Sequence, residues 1–108
     1  MLEKVYNFST DDAKHIEQLI DDDPVMINHI ILPKGERLPE HYSNSNTYMV
    51  VIRGELTLKL NEQEPYVYTS GKIVNIPYKI KMNVSNQNDQ ILEFFVVKAP
   101  NPRNYNEA

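Results

Sequence analysis

The chain has 108 residues, a formal net charge of −4 and no cysteine. That length fits one domain, which buries roughly two thirds of the surface its unfolded chain exposes. The missing cysteines exclude disulfides and thiolate metal sites, and an acidic balance without a basic block argues against a nucleic-acid partner.

The opening MLEKVYNFSTDD has no apolar run of the signal-peptide kind. Nowhere does the chain approach the roughly 18 apolar residues that span a bilayer, so no membrane partner is expected. A chain without disulfides fits a reducing, cytoplasmic setting. Residues 3–8 read as a short strand. Ser9 to Asp12 then offer N-cap groups, and Ala13, Ile16, Leu19 and Ile20 come after them at helical spacing, which predicts a short amphipathic helix over 11–20. Asp21, Asp22, Asp23 and Pro24 stop it. Three aspartates at a helix C-terminus oppose the macrodipole, so packing must hold that helix. Residues 1–24 are thus expected to form a strand and helix extension packed on the rest of the chain.

From residue 25 the pattern is β. VMINHIIL (25–32) is rich in β-branched residues and ends at Pro33-Lys34-Gly35. NTYMVVI (46–52) is nearly all apolar and ends at Arg53-Gly54. ELTLKL (55–60) alternates, with Leu56, Leu58 and Leu60 on one face. YVYT (66–69), KIVNIP (72–77), KMNV (81–84) and ILEFFVV (91–97) complete the series, each separated by turn residues. Short strands at close intervals predict an all-β sandwich or barrel over 25–100. The polar tail 101–108 is expected to be loose. Gly35, Gly54 and Gly71 all fall at predicted turns, where a positive φ is often required.

Two stretches carry a family resemblance. Gly35-x5-His41-x-Ser43 followed by Thr47-x6-Gly54, and Gly71-x5-Pro77 followed by Met82-x3-Asn86, resemble the two motifs of the cupins. The resemblance covers about 25–97 and implies an all-β double-stranded β-helix (jelly-roll) barrel, here with the short N-terminal helix added. It also implies an inward-facing metal set of three imidazoles and a carboxylate. Of those positions this chain keeps only His41. Ser43 replaces the second histidine, Thr47 the glutamate and Met82 the third histidine, and Lys79 stands at the second motif's glycine. A hydroxyl is a poor ligand for a divalent transition ion, and a thioether prefers soft Cu(I). One imidazole falls short of the three protein ligands such an ion normally needs. No metal and no cofactor are therefore expected.

Three histidines are available to rebuild such a site. His15 reads as a solvated residue of the predicted helix. If Met26, Asn28 and Ile30 share one strand face, His29 shares the other with Ile27 and Ile31. It is then either a satisfied strand histidine or a second imidazole near His41, and a His29–His41 metal site remains the alternative. Glu40 lies on the opposite face from His41, and Glu93 reads as an outward or rim residue. Alternation sends His41, Ser43, Thr47, Met49, Val51, Met82, Val84 and Asn86 inward. Such a mainly apolar lining with a few polar groups suits a small molecule, or it simply fills a narrow barrel. The expected pocket is His41, Ser43, Thr47, Met49, Met82 and Asn86, with His29.

The reading that results is a metal-free barrel that binds a small molecule without turning it over. One alternative is an enzyme of oxygenase or isomerase type using His41 with His29, although no strand aspartate is present to orient such a base. Another is a structural or regulatory interaction module. A homodimer is expected, because edge strands invite pairing and small cupins commonly dimerise, as the resemblance implies. The clustered tyrosines Tyr42, Tyr48, Tyr66, Tyr68 and Tyr78 serve either that interface or outer-sheet packing.

Overall fold

A computed structural model describes residues 1–105, and among these nine strands form: β1 (His15–Asp22), β2 (Val25–Leu32), β3 (His41–Tyr42), β4 (Thr47–Arg53), β5 (Glu55–Leu60), β6 (Tyr66–Thr69), β7 (Ile73–Ile76), β8 (Lys81–Ser85) and β9 (Leu92–Lys98). They build two antiparallel sheets, β1-β2-β9-β4-β7 and β3-β8-β5-β6. Alternation decides which faces meet. Ile30, Leu32, Met49, Val51, Phe94 and Val96 line the inner face of the first sheet, and Leu56, Leu58, Met82 and Val84 face them from the second. Burying these side chains is the main drive to fold, at about 25 cal/mol for each Å² of apolar surface removed from water.

The helix predicted over 11–20 does not form; residues 15–20 belong to strand β1 and 11–14 are irregular. β1 pairs antiparallel with β2, setting Ile16 opposite Ile30 and Glu17 opposite His29, and the register slips between Gln18 and Ile20. Leu19 is the extra residue of a β-bulge. A bulge lets residues three apart share a sheet face, so Glu17 and Ile20 point outward together while Ile16 points inward with Ile30. Isoleucines at 16 and 20 favour the strand, and the aspartates at 21–23 end a hairpin instead of opposing a helix dipole. Residues 3–8 form no strand; the stretch is irregular and exposed, and its Phe8 ring sits on the outer face of the first sheet, edge-on to Phe95 at 5.1 Å.

Gly35, Gly54 and Gly71 have φ of +78°, +82° and +88°. Lys79, at the place of the second motif's glycine, keeps the left-handed backbone with φ of +68°. The side chain changed there while the turn did not.

Residues 101–105 are tied down rather than loose. Asn101 is buried and caps a 3₁₀ turn over Pro102–Asn104. Arg103 donates to Asp21 at 2.7 Å and to Asp23 at 2.9 Å. Two of the three turn aspartates thus fasten the C-terminal segment to the β1–β2 hairpin; the remainder of the predicted loose tail lies outside the described residues. No helix among them is long and apolar enough to cross a membrane.

Candidate functional site

Between the sheets, toward their β1 and β3 edges, lies an open cavity of about 330 Å³. Its wall is mostly apolar, drawn from Ile16, Ile30, Leu38, Pro39, Met49, Met82 and Val96. Three polar residues interrupt it: Asn28 on β2, His41 on β3 and Lys98 at the end of β9. Register explains the grouping. Asn28 pairs with Val96, and Val96 with Met49, so these three form one row across the inner face. Lys98 lies between Met26 and Thr47 in the next row. His41 pairs with Met82 on the facing sheet.

Each polar group has spare capacity. His41 Nδ1 lies 2.9 Å from the Pro39 carbonyl. A carbonyl only accepts, so Nδ1 carries the hydrogen and Nε2 of the neutral ring is an acceptor. The Asn28 Oδ1 is buried and has no hydrogen-bond partner among the described residues. Lys98 has no ion pair among the described residues, and burial holds its amine below the ordinary lysine value.

The other expected pocket residues are engaged elsewhere. The Ser43 hydroxyl donates to the Pro77 carbonyl at 2.6 Å and accepts from the Ile80 amide at 2.8 Å, closing one loop on another. Thr47 is buried and donates to the Ser45 carbonyl at 3.0 Å. Asn86, also buried, donates to the Leu32 and Gln90 carbonyls, both at 2.8 Å, and accepts from the Asn88 amide at 2.9 Å. Of the expected set, the structure brings His41, Met49 and Met82 to the cavity. It adds Asn28 and Lys98, whose signal in the sequence was a polar residue at an inward strand position.

His29 does not reach His41. It lies on the outer face of the first sheet, fully buried under the Phe8 ring, 4.8 Å away between centroids. Its Nδ1 is 2.7 Å from Glu17 Oε1 and its Nε2 is 2.7 Å from Glu93 Oε2. Arg53 Nε donates to the second Glu93 oxygen at 2.8 Å, and its Nη2 reaches Asp12 at 2.8 Å. Each ring nitrogen of His29 thus faces a carboxylate oxygen, so the imidazole bridges Glu17 and Glu93. The hydrogen bond from His29, with one from the Ser9 amide, holds the Glu17 carboxyl below the usual range. Glu93 faces outward, as alternation requires, yet it is buried because the N-terminal segment covers it. His15 lies on β1 and bonds Asp11 at 2.7 Å.

The metal set implied by the resemblance does not fit these residues. Two of its four positions are hydroxyls already committed to backbone carbonyls, the third is a methionine, and His29 is separated from His41 by the thickness of a sheet. Among the described residues no group of three or more His, Asp or Glu could hold an ion. A second, polar trough of about 300 Å³ runs over the outer face of β5 and β8, between Arg37, Glu40, Lys59 and Gln87.

Two packed antiparallel sheets joined by crossing connections, with a cavity between them, define a double-stranded β-helix barrel. No family model matches the chain. An uncharacterised protein of Methanocaldococcus jannaschii is 51% identical over 107 residues, which is 98% of this chain and 92% of that protein. The crystal structure of an RmlC-like cupin family protein with a double-stranded β-helix fold, from the same organism, superposes with a TM-score of 0.92 at 52% identity, over 95% of each chain. A cupin superfamily protein of Desulfitobacterium hafniense shares the fold at 13% identity, with a TM-score of 0.72 over 86% of this chain and 83% of that one. The chain belongs to the RmlC-like cupin family.

Proposed function

We propose that this barrel binds a small organic molecule between its sheets, without a metal and without turning it over. One observation carries the reading: the inter-sheet cavity keeps three polar residues with unused bonding capacity, while two of the four positions that would hold a metal, Ser43 and Thr47, are spent on backbone contacts. A few convergent polar groups on an apolar wall are the usual make-up of a ligand site. Turnover by acid–base chemistry has weaker support, because His41 is oriented by a backbone carbonyl and not by a carboxylate. The absence of cysteine supports a cytoplasmic setting.

A thermal-shift screen of a metabolite panel tests this reading. A ligand present at 100 times its Kd stabilises by about 2.7 kcal/mol, and His41→Ala should abolish or weaken that shift while the fold stays intact. A panel without hits, together with a crystal structure in which side chains fill the cavity, would overturn it.

We also read the protein as a homodimer. Tyr48, Ile52 and Ile73 form an exposed apolar strip on the outer face of β4 and β7, and Leu2 and Val5 are exposed in the N-terminal segment. Light scattering should give twice the chain mass of 12.6 kDa; a monomer at micromolar concentration would contradict it.

A further inference from the structure

We propose that the cavity's ligand is a small carboxylate with an apolar body, its anionic group taken by the Lys98 ammonium. This rests on the pocket reading above and names the chemistry of its occupant. Lys98 is the one cationic side chain among the residues lining this cavity. It is partly buried and lacks a counter-ion among the described residues. A cation withdrawn from water without a partner is costly, and an ionised carboxylate beside it offsets that cost and adds a charge-assisted hydrogen bond.

The rest of the wall specifies the remainder of the molecule. Asn28 pairs with Val96 while Lys98 pairs with Met26, so Asn28 and Lys98 are diagonal neighbours on one face. Diagonal neighbours in an antiparallel sheet are about 7–8 Å apart at Cα, within reach of one bound group. The buried Asn28 Oδ1 has no partner among the described residues, and as an acceptor it takes an O–H or N–H that the ligand carries next to its carboxylate. Ile30, Met49, Met82 and Val96 form an apolar floor for a hydrocarbon body. Two methionines there suit an adaptable fit. At the β3 edge, the His41 Nε2 accepts an O–H or N–H from the ligand's other end. Taking about 30 Å³ for each water-sized atom, the cavity of about 330 Å³ holds roughly eleven non-hydrogen atoms. Arylacetic, 2-hydroxy-arylacetic and medium-chain aliphatic acids fall in that class.

The test uses matched pairs in which only the charge differs: phenylacetate and phenylacetamide, mandelate and mandelamide, hexanoate and hexanamide. Calorimetric titration of the full chain should show at least one acid binding ten-fold or more tighter than its amide. Lys98→Met should reduce that acid to the level of its amide and leave the amide unchanged. Lys98→Gln serves if the methionine variant does not fold. Acid and amide binding equally, or acid binding unaffected in both variants, would overturn the carboxylate assignment while leaving the pocket reading in place. If no acid and no amide binds at millimolar concentration, the carboxylate assignment is overturned, and the metabolite panel above decides the pocket reading separately. The ligand-free Lys98→Met protein should also melt higher than wild type, because a desolvated charge has been removed; a lower melting temperature would place the amine in a structural pair instead.

Discussion

Replacing each glycine in turn by alanine separates backbone strain from steric overlap. All three glycines have φ near +80°, so each alanine is forced into a left-handed conformation that costs about 1–2 kcal/mol. At Gly35 and Gly71 a new Cβ meets nothing within 4 Å. At Gly54 it falls on the Ile91 carbonyl oxygen and within 2.9 Å of the Ile91 carbonyl carbon and the Leu92 Cα. These are backbone atoms at the start of β9, the strand between β2 and β4 in the first sheet. They cannot rotate away, so the strand must shift, at a further cost of about 1–3 kcal/mol. Gly54→Ala should therefore lose about 2–5 kcal/mol in total, against about 1–2 for the other two. Urea unfolding with a shared m-value measures all three. Equal losses within about 0.5 kcal/mol, the usual scatter of a neutral surface change, would refute the claim that Gly54 is packed against β9.

The same geometry sets three further outcomes. Asn86→Ala orphans the buried Leu32 carbonyl and removes the part-buried bonds to the Gln90 carbonyl and the Asn88 amide, and it should cost about 1–3 kcal/mol in urea unfolding; ligand affinity of the folded variant, read by calorimetry, should be unchanged. His29→Gln removes the bridge between Glu17 and Glu93 and leaves carboxylates facing each other under Phe8, for a loss of about 3 kcal/mol; a wild-type unfolding midpoint would show that the network contributes nothing. Asp11, Glu17 and Asp23 are all held below their ordinary values, by the Ala13 amide and His15, by His29, and by Arg103 respectively. The unfolded chain then binds more protons than the folded one in that range, so stability should be full above the ordinary carboxyl values of 3.8 and 4.5 and fall as pH drops through the depressed folded values. Melting temperatures from pH 7 to pH 2 check this, and a melting temperature that rises on acidification would contradict it.

The barrel was legible because its signals are local. Leu56, Leu58 and Leu60 alternate, and β5 runs over just those residues, 55–60. Each glycine announced a turn and has the positive φ that turn needs. The N-terminal region misled because Ile16 and Ile20, read there as one helical stripe, lie on opposite faces of a bulged strand, Ile16 opposite inward Ile30 and Ile20 opposite Ile27. β3 is only two residues long, too short to show a period at all. The site was legible in part. Alternation sent Ser43, Thr47 and Asn86 inward, but their polar atoms go to backbone carbonyls: Thr47 to Ser45 two residues away, Ser43 and Asn86 to Pro77 and Leu32, 34 and 54 residues away, which no local pattern encodes. His29 could be assigned a face but not its partners, since Glu17 and Glu93 lie 12 and 64 residues away. Lys98 and Asn28 meet only through the pairing of β2 with β9, which no local pattern encodes.

Elemental analysis of protein purified without a tag or chelator bears most directly on the central distinction between an organic-ligand site and a metal centre. Transition metal well below one tenth of an equivalent per chain, about the level of chance retention when three protein ligands are lacking, is the expected result. Near-stoichiometric iron, zinc, manganese, nickel or copper would contradict it, and would require His41 to find partners that the barrel does not bring to it.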